Sequence, residues 1–282
     1  MSGQIATKFT RRNYEINVEP FTLSEVIEFK RINNISCDIK EVYLEYCRYG
    51  GLPQIYYFEN PDNRIKQLNK IYSEIIEKDV LPNKTINNYL EFKRILKFVC
   101  ENIGNTFSSQ TIFDVIDSEN HANTVSKNTI YDYVKTMCNV LLINDVQKIN
   151  VIGKELLKLN AKYYMQDIGI RNAILGNPTD IYFPKLLENI VYLELKSRGY
   201  SVNIGKIHRS EIDFIATKGD TCVYIQICEY LTSKEKIEQE LAPFSLAKNH
   251  YRKIVIVGEK TNFSTYNGVE IIPICDFLLN WK

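Results

Sequence analysis

Apolar residues recur at helical spacing through the first half of the chain and at strand spacing through the second. A short alternation at 14–18 reads as a strand that Pro20 ends. Leu23 to Phe29 then opens a helix, with Thr22 or Ser24 placed to accept its first backbone N–H groups. Residues 39–49 read as a second helix, broken by Tyr49-Gly50-Gly51-Leu52-Pro53. Ile65, Leu68, Ile71, Tyr72, Ile75 and Ile76 mark a third, from about Asn63 to Val80, that Leu81-Pro82-Asn83 stops. A fourth runs from Leu90 to Ile103, with Gly104 past its end. Ser108 precedes a short helix, a polar turn spans 117–123, and Ser126 or Thr124 caps a sixth segment through Val134. Leu141 to Val146 reads as a strand and Val151 to Lys154 as a turn. This is the rhythm of a winged helix, whose third helix would present Lys127, Asn128 and Lys135. The plainer reading is that the three helices are only a scaffold.

Beyond Asp167, whose neighbour Gly169 marks a turn into a helix with Asp167 as cap, the period changes. A helix at 185–198 is followed by strands from Tyr200, with Gly219-Asp220 as the hairpin between Glu211–Phe214 and Tyr224–Cys228. A helix from Lys234 to Ala247, an apolar strand from Lys253 to Val257 and a last strand from Val269 to Ile274 complete an α/β core with a mixed sheet. Residues two apart on a strand share a face. Glu211 and Asp213 should therefore point together, away from Ile212 and Phe214, and Gln226 and Cys228 together, away from Ile225 and Ile227. Glu188 lies on the preceding helix. A helix carboxylate, a strand carboxylate and an oxygen on the next strand make a site for a hard cation such as Mg²⁺, which can activate water against a phosphodiester. A sheet whose polar face is simply wet gives the same pattern.

Composition narrows the class. The 282 residues suffice for two domains or one large one, and a net charge of +1 advertises no global attraction to nucleic acid, so any affinity must come from local patches. Seven scattered cysteines without a CxxC pair, and three distant histidines, argue against structural zinc and for reduced thiols in the cytoplasm. No apolar run approaches a bilayer-spanning length, and Met1 to Lys8 carries no signal-peptide core. Gly153-Lys154-Glu155 lacks the upstream glycine and following hydroxyl of a phosphate-binding loop, so the chain by itself should not bind ATP.

The order Glu188, Asp213, Gln226 resembles the PD-(D/E)XK nuclease fold. The resemblance implies Glu188 as the helix acid, Asp213 as the central aspartate, both as metal ligands, and Gln226 as the first residue of the third motif. It departs at Cys228, which stands where a lysine should position the attacking water, and Lys196, eight residues after Glu188, is the nearest replacement along the helix. Across nearly its whole length the chain is also similar to the prokaryotic AAA-type ATPases that carry a C-terminal domain of unknown function. Ser2-Gly3, Tyr14-Glu15-Ile16, Pro20 to Glu25, Tyr49 to Pro53, Asp167 to Ile170, Leu187 to Tyr192 and the EIDF and IQIC strands carry that likeness.

That likeness implies a remnant of the nucleotide-binding module and helical linker at 1–80, with Arg11 and Arg12 near a phosphate-sensing position, a winged helix at 81–170 and a restriction-endonuclease-like domain at 171–282. It implies a DNA-associated module whose cleavage is degenerate and whose Mg²⁺ binding is weak. The alternatives are a protein-interaction or regulatory module, docking an ATPase core or another protein, and an active metal-dependent nuclease. The oligomeric state is not legible.

Overall fold

The computed structural model describes residues 17–120, 125–153, 155–178, 183–247, 250–259 and 261–281. Most of the expected 14–18 strand, Ser2-Gly3, Arg11, Arg12, Thr124 and Lys154 lie outside them.

Three helices form the first layer: α1 (Leu23–Ile32), α2 (Ile39–Tyr49) and α3 (Pro61–Ile75), the last continuing into a π-turn at Ile76–Val80. Thr22 caps α1 in a reciprocal box, Glu25 N–H donating to its hydroxyl and Thr22 N–H donating to the Glu25 carboxylate at 2.7 Å. Asp38 caps α2, and Gly50, at φ +73°, ends it. Next come α4 (Tyr89–Glu101), α5 (Ser109–Asn120) and α6 (Lys127–Asn139). Phe92, Ile95, Leu96 and Val99 of α4 are fully buried, and Ser126 caps α6.

Strands β1 (Ile143–Asn150) and β2 (Leu156–Met165) follow as an antiparallel hairpin. The strand expected from Leu141 starts two residues later, because Leu142 N–H still donates to the Met137 carbonyl of α6 and Leu141 turns at φ +58°. The sequence pattern does not predict β2, beyond the turn, as a strand. A short α7 (Ile168–Ile174), capped by Asp167 as expected, leads to α8 (Phe183–Ser197). The remaining elements are β3 (Ser201–Ile207), β4 (Ser210–Lys218), β5 (Thr221–Cys228), α9 (Lys234–Leu246), β6 (Arg252–Val257), β7 (Thr265–Tyr266), β8 (Val269–Pro273) and α10 (Ile274–Asn280).

Among the described residues, eight strands form one mixed sheet in the order β2-β1-β3-β4-β5-β6-β8-β7. The parallel pairing of β1 with β3, through Lys148, Ile149 and Asn150, carries the sheet across residue 170, from the helical half into the strand-rich half. The sheet is packed on both faces. One face holds Phe214, Ile225 and Ile254 against α8 and the helical half. The other holds Ile212, Ile215, Val255 and Val257 with Ile237, Leu241 and Phe244 of α9.

Strict alternation fails on β4. Asn203 pairs with Ile215 and Gly205 with Ile212, so two residues, Asp213 and Phe214, stand opposite Ile204. This bulge turns Phe214 onto the α8 face, away from Ile212, where the plain period of two expected them together. Phe214, Ile225, Val255 and Val257 are fully buried as expected, but Ile227 is only half-buried, because it lies beyond the last β4–β5 pair.

The outer edge of the sheet is closed by side chains and loops. Gly104 N–H donates to the Tyr163 carbonyl at 3.0 Å. Asn189 of α8 meets both backbone groups of Met165: its Oδ1 accepts from Met165 N–H at 2.7 Å and its Nδ2 donates to the Met165 carbonyl at 3.0 Å. The Tyr163–Met165 end of this edge strand is thereby paired without a further strand.

Candidate functional site

Glu188 precedes Asn189 on α8, so the same contact that fastens the helix to β2 sets Glu188 over that strand. Lys162 and Tyr164, two residues apart on β2, face it together. Lys162 Nζ donates to Glu188 Oε1 at 2.9 Å, and the Tyr164 hydroxyl donates to the same oxygen at 2.5 Å. Lys162 also reaches Glu211 Oε1 on β4 at 2.8 Å, and Lys148 of β1 donates to Glu211 Oε2 at 2.6 Å. Gly104 lies over the cluster, where a Cβ would stand 3.1 Å from Glu188 Oε2.

Asp213 sits where β4 and β5 part. The last backbone pairing is Phe214 with Ile225, and beyond it side chains take over. Asp213 Oδ2 accepts from Ile227 N–H at 2.8 Å, while Gln226 Oε1 accepts from Asp213 N–H at 3.4 Å. Burial, then the neighbouring Glu188 charge, push the Asp213 carboxyl up to about 8 against the opposing pull of Lys162. Burial also pushes on Glu211, but Lys162 and Lys148 outweigh it and hold that carboxyl below its usual range. For Lys162, burial disfavours the charge, yet Glu188, Asp213 and Glu211 more than compensate and raise its pKa. The cluster thus favours the charged form of Lys162 and shifts Asp213 toward its protonated form.

The expected convergence is therefore partial. Glu188 and Asp213 lie within electrostatic reach of each other, and Glu211 joins them. Gln226 offers its oxygen to a backbone amide instead of to a shared centre. Cys228 lies on the opposite face with Val255 and Val257, and burial pushes its thiol up to about 12. Lys196 Nζ meets Asn144, Gln166 and Glu19, a separate group of partners, and has no bond to Glu188 among its described contacts. The residues do not fit a divalent cation as they stand, because the inward oxygens of Glu188 and Glu211 already accept from the Lys162 ammonium. Among the described residues, no group of three or more His, Cys, Asp or Glu side chains is placed to hold a metal ion.

On α6, Ile130, Tyr133, Val134 and Met137 are buried. Lys127, Asn128, Tyr131 and Lys135 are all exposed, Tyr131 at 59%. Asp132 is exposed beside them and offsets part of the charge. The Lys127 ammonium stands 5.3 Å from the ring centre of Phe113 on α5, which holds the first turn of α6 against the preceding helix.

A family profile, described as a domain of unknown function, DUF8612, matches residues 40–180. An uncharacterized protein of Haemophilus influenzae is 31% identical over 281 residues, covering 99% of this chain and 68% of its own length. The chain belongs to the DUF8612 family. The uncharacterized protein MJ1544 of Methanocaldococcus jannaschii is 25% identical over 289 residues, covering 98% of this chain and 63% of its own. The DUF8612 chain thus spans about two thirds of the length of these relatives. A crystal structure of protein VC1899 from Vibrio cholerae aligns over 97% of this chain and 63% of that one, at 11% identity and a TM-score of 0.25.

The DUF8612 match spans α2 to α7 and so includes Lys148, Lys162 and Tyr164 but neither Glu188 nor Asp213. Those three residues are the part of the cluster that sequence reasoning missed. They come from the hairpin after α6, and no spacing in the chain ties them to the acids. The one available signal was Lys162 itself, a charged residue one step from the apolar run Tyr163-Tyr164-Met165.

Proposed function

We propose that the DUF8612 chain is a cytoplasmic, DNA-associated module of an AAA-type ATPase, and that its nuclease-like half does not cleave. The DNA assignment rests on one observation, the solvent-facing stripe of Lys127, Asn128, Tyr131 and Lys135 on a helix whose other side is anchored in the core. Lysines and an amide near the start of such a helix suit phosphate oxygens and base edges, and an exposed tyrosine adds a flat contact. No helix among the described residues is long and apolar enough to cross a membrane. None of the seven cysteines is joined in a disulfide, which suits a reducing compartment.

The non-cleaving assignment follows from the cluster chemistry. Lys162 is charged and bonded to both acids, so it cannot take a proton from water, and Cys228 is on the wrong face. A protein-docking role is the second reading. It is favoured by the exposed Leu141, Ile152 and Leu156 around the hairpin after α6.

Fluorescence anisotropy with a labelled duplex decides between them. Two phosphate contacts give a log–log salt slope of about −1.8, or about twelvefold weaker binding between roughly 50 and 200 mM salt. K127E/K135E should abolish that dependence and most of the affinity. No binding by the unmodified chain at low salt, or unchanged binding by the double variant, sinks the DNA assignment and leaves the docking role.

A further inference from the structure

We propose that the cleft between α9 and the β7–β8 hairpin is a binding site for a small zwitterion, a molecule that carries both an ammonium and a carboxylate, as a free amino acid or a dipeptide does. The inference goes beyond the DNA-associated reading and does not depend on it. The cleft lies on the α9 face of the sheet, beside the first residues of β6 and β8. None of its lining residues belongs to the Glu188–Asp213 cluster.

Three observations carry it. The first is shape. The cleft measures about 580 Å³, within the range of about 300–1,000 Å³ usual for small-molecule sites. Leu241, Phe244 and Val269 are its buried lining, each less than a tenth exposed, so they offer a bound molecule little apolar surface. That argues against a wholly apolar ligand. The flat surfaces within the cleft are the rings of Tyr251, 40% exposed, and Tyr266, half-buried, which suit an aromatic side chain. The second is a carboxylate held in place. The Tyr266 hydroxyl donates to Glu238 Oε1 at 2.8 Å, joining the hairpin to the helix. That bond fixes the carboxylate without neutralising it, and Glu238 has no cationic partner among the described contacts. The third is the positive charge on the strand side. Lys253, half-buried, donates to the neutral Ala247 carbonyl at 3.4 Å, and His250 stands exposed near it. Arg252 and Glu270, by contrast, form a two-pronged ion pair at 3.0 and 2.8 Å and offset each other. These charges decide the ligand class. A simple amine meets Glu238 but is repelled by Lys253, and a simple acid meets Lys253 but is repelled by Glu238. A molecule bearing both charges makes a charge-assisted hydrogen bond to each.

The experiment is isothermal titration calorimetry on the full chain, with L-phenylalanine and glycyl-L-phenylalanine as probes. Phenethylamine, which lacks the carboxylate, and 3-phenylpropionate, which lacks the ammonium, are the controls. At least one zwitterion should bind saturably to one site, with each control about tenfold weaker or more, the loss expected when a charge-assisted hydrogen bond is removed. Tighter binding of L-phenylalanine points to a free amino acid as the ligand, and tighter binding of the dipeptide to a short peptide. Glu238→Gln, at an exposed position that can still accept from Tyr266, should weaken the bound zwitterion about tenfold without weakening 3-phenylpropionate. Lys253→Met, which keeps the apolar stem, should weaken the zwitterion without weakening phenethylamine. If that variant does not fold, Glu238→Gln and the two controls decide the matter.

No saturable binding of either zwitterion up to about 10 mM overturns the proposal. So does a control that binds as tightly as the zwitterion, or a Glu238→Gln protein that binds the zwitterion as the parent does.

Discussion

Replacing Asn189 tests how α8 is fastened to the sheet. Its amide is fully buried and bonds both the N–H and the C=O of Met165, itself fully buried. Asn189→Leu is close in size and removes both bonds, leaving two backbone groups without partners. Each costs about 1–3 kcal/mol. Added apolar burial offsets about 1–2 kcal/mol, so the net loss should be about 2–4 kcal/mol, read as a lower urea midpoint at unchanged slope.

Asn189→Asp sharpens the test. As a neutral acid it still accepts from Met165 N–H and donates to the carbonyl; as a carboxylate it sets an acceptor against that carbonyl. Its folded pKa must then lie above the unfolded value of about 3.9. The sign follows: its stability should be near that of the parent below pH 4 and fall by about 1.4 kcal/mol per pH unit until the folded pKa is passed. An Asn189→Leu protein within 0.5 kcal/mol of the parent would refute the reasoning. So would an Asn189→Asp protein whose difference from the parent ignores pH.

Two further outcomes follow from neighbouring features. Gly104→Ala places a methyl at φ +71° and 3.1 Å from Glu188 Oε2, and should cost about 1–2 kcal/mol by urea unfolding; no loss would mean the loop yields freely. Asp167 accepts from Gly51 and Ile170 N–H groups, yet burial pushes its carboxyl up to about 6. Its protonated form therefore adds stability that is full below pH 4 and is lost as pH rises through 6. Asp167→Asn should flatten about 3 kcal/mol of that slope relative to the parent, and parallel pH profiles would refute it.

The helices were legible because capping and burial agree with local pattern. Thr22, Ser108, Ser126 and Asp167 each cap as their positions suggest, and 39–49 is a helix from end to end. Individual strands were legible for the same reason, as was the hairpin that pairs Lys218 with Thr221. Two kinds of fact were not. A bulge cancels the period-of-two rule locally, and nothing in Ile212-Asp213-Phe214 announces one. Long-range strand pairing is set by tertiary packing, so the neighbourhood of Lys148 and Lys162 with Glu211, and with it the chemistry of the cluster, had no signature in sequence. Gln226 shows the limit in reverse: its order along the chain suited a ligand, but where β4 and β5 separate its oxygen is taken up by a backbone amide.

The parallel seam between β1 and β3 has a consequence for anyone dividing this chain to study its acidic half. A fragment beginning near residue 171 keeps Glu188, Glu211 and Asp213 but leaves Lys148 and Lys162 behind on the discarded piece. Its exposed β3 edge would invite self-association. The acids, stripped of both ammonium groups, would attract whatever cation the buffer supplied. Metal binding measured on such a fragment would be a property created by the cut, with the opposite electrostatics to the intact protein.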